Sequence, residues 1–197
     1  MKSLTLSKPR LIVMVGIPGS GKSYFAEHFA STFKAPIVSF HRYRYELFNE
    51  PNFSEDECEI ISRVANYMLD ELLKTGRTII YEGKSDTRNE RLIIAKKSRA
   101  AGYEPLFVWV QTDPATAKRR AIKPGDGRPA MTSEQFDASV KKFNIPHQIE
   151  KPVVISGKHT YASQLKIVLK RLVEPRTQVE NHTIQPRTAI NRNIMIR

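Results

Sequence analysis

Residues 16 to 23 read Gly16-Ile17-Pro18-Gly19-Ser20-Gly21-Lys22-Ser23, a glycine-rich run that closes on a lysine and a hydroxyl. This G-x-x-x-x-G-K-S spacing suits polyphosphate. Glycines let the backbone turn its N–H groups inward, and a helix starting there adds its positive dipole end. Lys22 has the reach for the β- and γ-phosphates of a nucleotide, and the Ser23 hydroxyl is placed to complete the shell of a Mg²⁺ ion. The whole stretch from Gly16 to Ser23 is therefore the candidate cofactor-binding loop, with ATP and Mg²⁺ as the expected occupants.

Two further clusters carry chemistry. His41-Arg42-Tyr43-Arg44-Tyr45 follows a short apolar segment, so basic and aromatic groups gather where a strand ends. Glu82-Gly83 follows another such segment, and an acidic residue at a strand end beside a phosphate loop can hold a magnesium water or a substrate hydroxyl. A basic stretch, Lys118, Arg119, Arg120 and Lys123, runs into Pro124-Gly125-Asp126-Gly127-Arg128-Pro129. Arginines on such a flap, Arg120 among them, can close over a nucleotide and meet charge on a transferred phosphoryl group.

The elements that must position these groups are readable in outline. Leu11 to Val15 form a continuous apolar run that leads straight into Gly16, as a strand buried on both faces requires, and residues 24–30 can continue as helix. Pro36 to Phe40 reads as a second strand. Ser54-Glu55-Asp56-Glu57 is a capping box that opens a helix with Ile61, Val64, Ala65, Met68, Leu69 and Leu72 as its core stripe, ended by Gly76. Arg77 to Tyr81 gives a third strand, Thr87 to Glu90 a second capping box with a helix to Gly102, and Glu104 to Val110 a fourth strand.

Asp113-Pro114 starts a short helix and Thr132 with Gln135 caps the next, so the flap at about 115–132 is bounded on both sides. Pro152 to Ile155 and Thr160 to Val173 complete the pattern as strand and helix. Residues 176–197 are rich in Arg, Asn, Thr, Gln and Pro without periodicity, and are expected to form a flexible basic tail after a domain spanning 1–175. Ile190, Ile194, Met195 and Ile196 are the tail's apolar exceptions.

The chain has 197 residues, enough for one substantial core. Lys and Arg number 32 against 20 Asp and Glu, and the net charge of +12 favours anionic ligands without choosing between nucleotides and nucleic acids. Cys58 is the only cysteine, which excludes an intrachain disulfide and a cysteine-based zinc site and assigns that residue to packing. No apolar run is long enough for a membrane span, and Met1 to Pro9 lacks the apolar core of a secretory signal. A cytoplasmic protein with no membrane partner is expected.

Alternating strands and helices predict an α/β fold, a five-stranded mainly parallel sheet with helices on both faces and a basic lid. From Arg10 to about Val173 the chain resembles the P-loop kinases that include polynucleotide 5′-hydroxyl kinases, zeta-toxin-like kinases, chloramphenicol phosphotransferase and AAA-type small kinases. The resemblance rests on residues 16–23, the segment Ser39 to Arg44, the segment Tyr81-Glu82-Gly83 with Arg88 and Arg91, and the basic flap around Arg120.

It implies a three-layer P-loop NTPase fold and transfer of the ATP γ-phosphate to a hydroxyl of a small molecule or a nucleic-acid end. Polynucleotide kinases carry an aspartate base followed three residues later by an arginine that contacts the acceptor. Here Arg44 matches the arginine and His41 stands at the aspartate. Histidine can accept a proton, and Arg42 and Arg44 disfavour a further positive charge on it. The expected catalytic set is therefore Lys22, His41, Arg44, Glu82 and Arg120, with Ser23 and Glu82 at the metal and Glu82 as the second candidate base. The alternative is a nucleotide-dependent binding module or slow ATPase that acts on an anionic partner such as RNA.

Overall fold

A computed structural model describes residues 8–123 and 131–173. Five strands form one sheet: β1 (Arg10–Val15), β2 (Ile37–Ser39), β3 (Ile79–Glu82), β4 (Glu104–Gln111) and β5 (Val153–Ser156), in the order β2-β3-β1-β4-β5 with every pair parallel. Parallel neighbours need a crossover, and helices supply them: α1 (Lys22–Phe33), α2 (Phe40–Leu47), α3 (Glu55–Leu73), α4 (Arg88–Ala100), α5 (Pro114–Ala121), α6 (Ser133–Lys142) and α7 (Tyr161–Val173).

Strand β1 shows why the apolar run is unbroken. Leu11, Val13 and Val15 pack on one face with Ala65, Leu69 and Leu73 of α3 and Ile94 and Ala95 of α4. Ile12 and Met14 pack on the other with Phe25, Ala26 and Phe29 of α1 and Val168 and Leu172 of α7. All five strand residues are fully buried, so the strand is the middle of a three-layer sandwich. The chain turns to opposite sides of β1 to reach β3 and β4, and ligands of open α/β sheets bind at the carboxyl edge of such a switch point.

The expected elements are found, with three differences. The segment after β2 is a helix: Ser39 accepts a hydrogen bond from the Arg42 N–H and caps α2 at once, so Phe40 is helical and the strand stops at Ser39. On α3 the buried positions are Glu57, Ile61, Ala65, Leu69 and Leu73, each four residues apart, while Met68 faces outward. The third departure is Cys58, half-buried and accepting from the Arg44 guanidinium instead of sitting in a core cluster. Helix α5 ends at Ala121, which leaves Lys123 beyond it, and the flap residues 124–130 and the tail lie outside the described residues. Among those described, no helix is long and apolar enough to cross a membrane.

Candidate functional site

The loop after β1 is held in shape from behind. Gly16 has φ 149°, and a Cβ there would lie 2.7 Å from the Val110 carbonyl oxygen. Gly19 has φ 71°, and its Cβ would lie 2.1 Å from the Ala117 carbonyl oxygen of α5. Both positions need glycine twice over, for the left-handed backbone and for the close approach. Ile17 packs with Ala117 of α5 and Phe136 of α6, and so anchors the two helices that flank the basic flap to the loop itself. Pro18, in the turn between Ile17 and Gly19, is half-buried, and Gly21 caps α1 with φ 106°.

Lys22 turns back on the loop, its Nζ donating to the carbonyls of Gly16 at 2.6 Å and Ile17 at 3.0 Å. Burial lowers its pKa from the ordinary lysine value, partly offset by the nearby charges of Glu82 and Asp86. An ammonium has three donors, so one remains for a phosphate oxygen. Ser20 is fully buried and its Oγ has no hydrogen-bond partner among the described residues.

Glu82 ends β3 and is 8 % exposed. The Ser23 hydroxyl donates to its Oε1, and the Ser39 hydroxyl donates to its Oε2 at 2.9 Å. The sheet register makes this possible, because Ser39 and Glu82 are direct partners on adjacent parallel strands. One carboxylate thus joins the phosphate loop to the end of β2. A hydroxyl beside a carboxylate is a hard-oxygen donor set that fits Mg²⁺, which keeps several waters and takes its remaining ligands from phosphates. The glycine cradle and the spare Lys22 donor fit a polyphosphate in the same way.

The other expected residues are distributed more widely. His41 sits half-buried in the first turn of α2, its ring edge-on to Tyr45 at 4.7 Å between centroids. Arg44, one turn on, ion-pairs through Nε with Glu57 at 3.0 Å and is 13 % exposed. Arg120 lies in the last turn of α5, and its Nη1 donates to the Gly157 carbonyl at 2.9 Å. Gly157 abuts the reverse of the phosphate loop, where a Cβ would lie 1.9 Å from the Ser20 carbonyl oxygen.

Three residues of the site had no site role assigned from the sequence. Ser39 is one, a polar residue that ends an apolar strand and begins a helical run. Asp86 is the second: it follows β3, and burial raises its carboxyl above the ordinary range, with the Lys22 charge opposing. Its signal was an acidic residue just ahead of the Thr87 capping box at the carboxyl edge of the sheet. The third is Glu57, read only as part of a capping box, yet 3 % exposed.

Arg91 supports this arrangement from below. It is fully buried and grips Glu150 with two parallel bonds, Nε to Oε1 at 2.6 Å and Nη2 to Oε2 at 3.1 Å. Its Nη1 donates to the Ser85 and Asp86 carbonyls at 3.0 and 3.1 Å, and the Asn144 N–H donates to the Asp86 carbonyl at 2.9 Å. The loop that carries Asp86 is therefore tied to the segment returning from α6 to β5.

Comparison with known proteins agrees with this architecture. No curated protein sequence is similar enough to count as a relative. Among solved structures, Kti12 of Chaetomium thermophilum in complex with ADP-AlF3 is 15% identical, with TM-score 0.63 over 84% of this chain and 100% of that one. An unliganded sugar kinase from Janibacter sp. HTCC2649 is 13% identical, with TM-score 0.60 over 84% of this chain and 96% of the other. A chain of the Pnkp1/Rnl/Hen1 RNA repair complex is 21% identical, with TM-score 0.61 over 75% of this chain and 46% of that chain. At these identities the likeness is one of fold, the α/β P-loop NTPase fold. A family model described as an AAA domain matches residues 11–146, more than half of the sequence, and the chain belongs to that AAA domain family.

Proposed function

We propose that the protein is an ATP-dependent kinase that transfers the γ-phosphate to a hydroxyl of a small molecule or of a nucleic-acid end. The observation that carries this reading is the shared carboxylate of Glu82, which ties Ser23 of the phosphate loop to Ser39 at the start of the histidine- and arginine-bearing helix α2. The link brings the first turn of α2, with His41 and Arg44 on that helix, to the edge of the sheet where the phosphate loop lies.

Each residue then has a task. Lys22 exchanges its loop carbonyls for phosphate oxygens, and Arg120 meets charge on the transferred group from the α5 side. Ser23 and Glu82 hold Mg²⁺, which neutralises phosphate charge when bound. Arg44 positions the acceptor. The acceptor oxygen forms the new bond to phosphorus as the bond to the β–γ bridging oxygen breaks, and its proton passes to His41, with Glu82 as the second candidate base. The domain is taken as 1–175 with a lid at about 115–132 and a basic tail at 176–197. A cytoplasmic location, where ATP and Mg²⁺ are held, belongs with this reading.

The test is transfer from γ-labelled ATP with Mg²⁺ to a pool of 5′-hydroxyl oligonucleotides, nucleoside 3′-monophosphates and sugar acids. Label on an acceptor is the expected result, whereas label in free phosphate alone sinks the kinase reading. A second reading, a nucleotide-dependent binding module or slow ATPase acting on an anionic partner such as RNA, is favoured by His41 in place of an aspartate. It predicts partner binding that depends on ATP, without transfer.

A further inference from the structure

Helices α2 and α3 meet around a buried carboxylate that no step above uses. Glu57 lies on the core face of α3 at 3 % exposure, where an ionised side chain is costly unless it is fully engaged. Its Oε2 accepts the backbone N–H groups of Asn52 at 2.8 Å and Phe53 at 3.1 Å. Oε1 faces Arg44 Nε at 3.0 Å in an ion pair and takes no hydrogen bond from any described residue. On its other edge the guanidinium donates through Nη2 to Cys58 Sγ at 3.3 Å, and its Cζ stands 4.3 Å from the centroid of the Phe53 ring.

Phe53 is the unusual partner. It adopts a left-handed backbone with φ 59°, which a bulky side chain avoids, and yet its ring is 44% exposed. An apolar core does not account for a strained, exposed aromatic. Glu57 holds the strained turn through the Phe53 N–H, and the outcome is a ring with the Arg44 Cζ standing over it. Nε and Nη2 are engaged, which leaves Nη1 without a partner among the described residues.

We propose that Glu57 is a positioning residue for the acceptor half of the site, holding Arg44 and Phe53 as one rigid unit that offers the acceptor a guanidinium edge beside an aromatic face. This inference rests on the kinase reading. The unit suits an acceptor that carries an anionic group next to a planar or apolar one. Arg44 is one helical turn from His41 and five residues from Ser39, so immobilising its head orders the acceptor side without touching the phosphate loop.

The test titrates each acceptor of the pool that the unaltered protein labels, at saturating ATP, and titrates ATP at saturating acceptor. Glu57→Gln is expected to raise the acceptor KM by about tenfold or more while the KM for ATP stays within about twofold. Glu57→Gln in an Arg44→Ala background should add nothing to the effect of Arg44→Ala alone. Because Glu57→Gln perturbs a buried charge, Phe53→Leu is the second variant. It alters an exposed ring, should also raise the acceptor KM, and should be rescued by Phe53→Tyr. An unchanged acceptor KM in either folded variant, or equal shifts for both substrates, overturns the inference and leaves the kinase reading intact. Absence of transfer by the unaltered protein overturns both.

Discussion

Lys22 carries a charge that burial disfavours and a phosphate would reward. Its lowered pKa means that the folded chain without ligand disfavours the charged form, a cost present at neutral pH and relieved as pH rises through the folded pKa toward the unfolded value. Lys22→Met is therefore expected to leave the thermal midpoint of the ligand-free protein unchanged or higher, to remove the stabilisation that Mg·ATP gives, and to cut kcat by at least about 100-fold. Thermal melts with and without Mg·ATP, alongside steady-state kinetics, check both parts.

Asp86 follows the same logic with opposite charge. A raised carboxyl costs stability progressively as pH rises from its unfolded to its folded pKa and in full above the latter, and the cost vanishes below the unfolded value, where both states are protonated. Asp86→Asn should stabilise the protein at pH 7.5 relative to pH 4 and should lower transfer, since the carboxylate lies within the field of Lys22. Melting at the two pH values measures the first, and a loss of stability at pH 7.5 would count against it.

Among the elements, the segment from β3 into α4 shows how a site is braced. The Arg91–Glu150 pair spans two stretches that are far apart in the chain and close in space. Burial alone would raise the Glu150 carboxyl, but the Arg91 hydrogen bonds, the His147 N–H and the charges of Arg91 and Arg88 together hold its pKa below the ordinary value. That stabilisation is present above the unfolded carboxyl pKa and lost as pH falls through the folded one. Arg91→Met should cost about 3–5 kcal/mol by leaving a buried carboxylate unpaired. Adding Glu150→Leu should restore most of the melting temperature and flatten the acid limb, yet leave activity low, because the Ser85 carbonyl has lost its Arg91 donor and the Asp86 carbonyl keeps only the Asn144 N–H. Recovery of full activity in the double variant would show that the clamp matters only for stability.

At the scale of the whole molecule, the net charge of +12 is a field that the site shares. If a nucleic-acid end is the acceptor, raising salt from about 50 to 200 mM should weaken its binding steeply, by tenfold or more where several phosphates are contacted. A small uncharged sugar would show little of this, so KM for each acceptor at two salt concentrations separates the substrate classes.

The phosphate loop was legible in the sequence. The loop at 16–23 and the apolar strand leading into it are local patterns whose meaning depends on neighbours along the chain: glycines that must bend, and a lysine and serine at one fixed spacing. The alternation of strands and helices was legible for a similar reason, since strands covered on both faces read as unbroken apolar runs. The contacts among the ends of β2 and β3 and helices α2 and α3 came from the tertiary structure. That Ser39 meets Glu82 depends on β2 pairing with β3 in one register, and that Glu57 grips Arg44 depends on two helices packing side by side. Neither is encoded in spacing, because a buried carboxylate acquires its partner from the packing of the whole fold and not from the residues beside it.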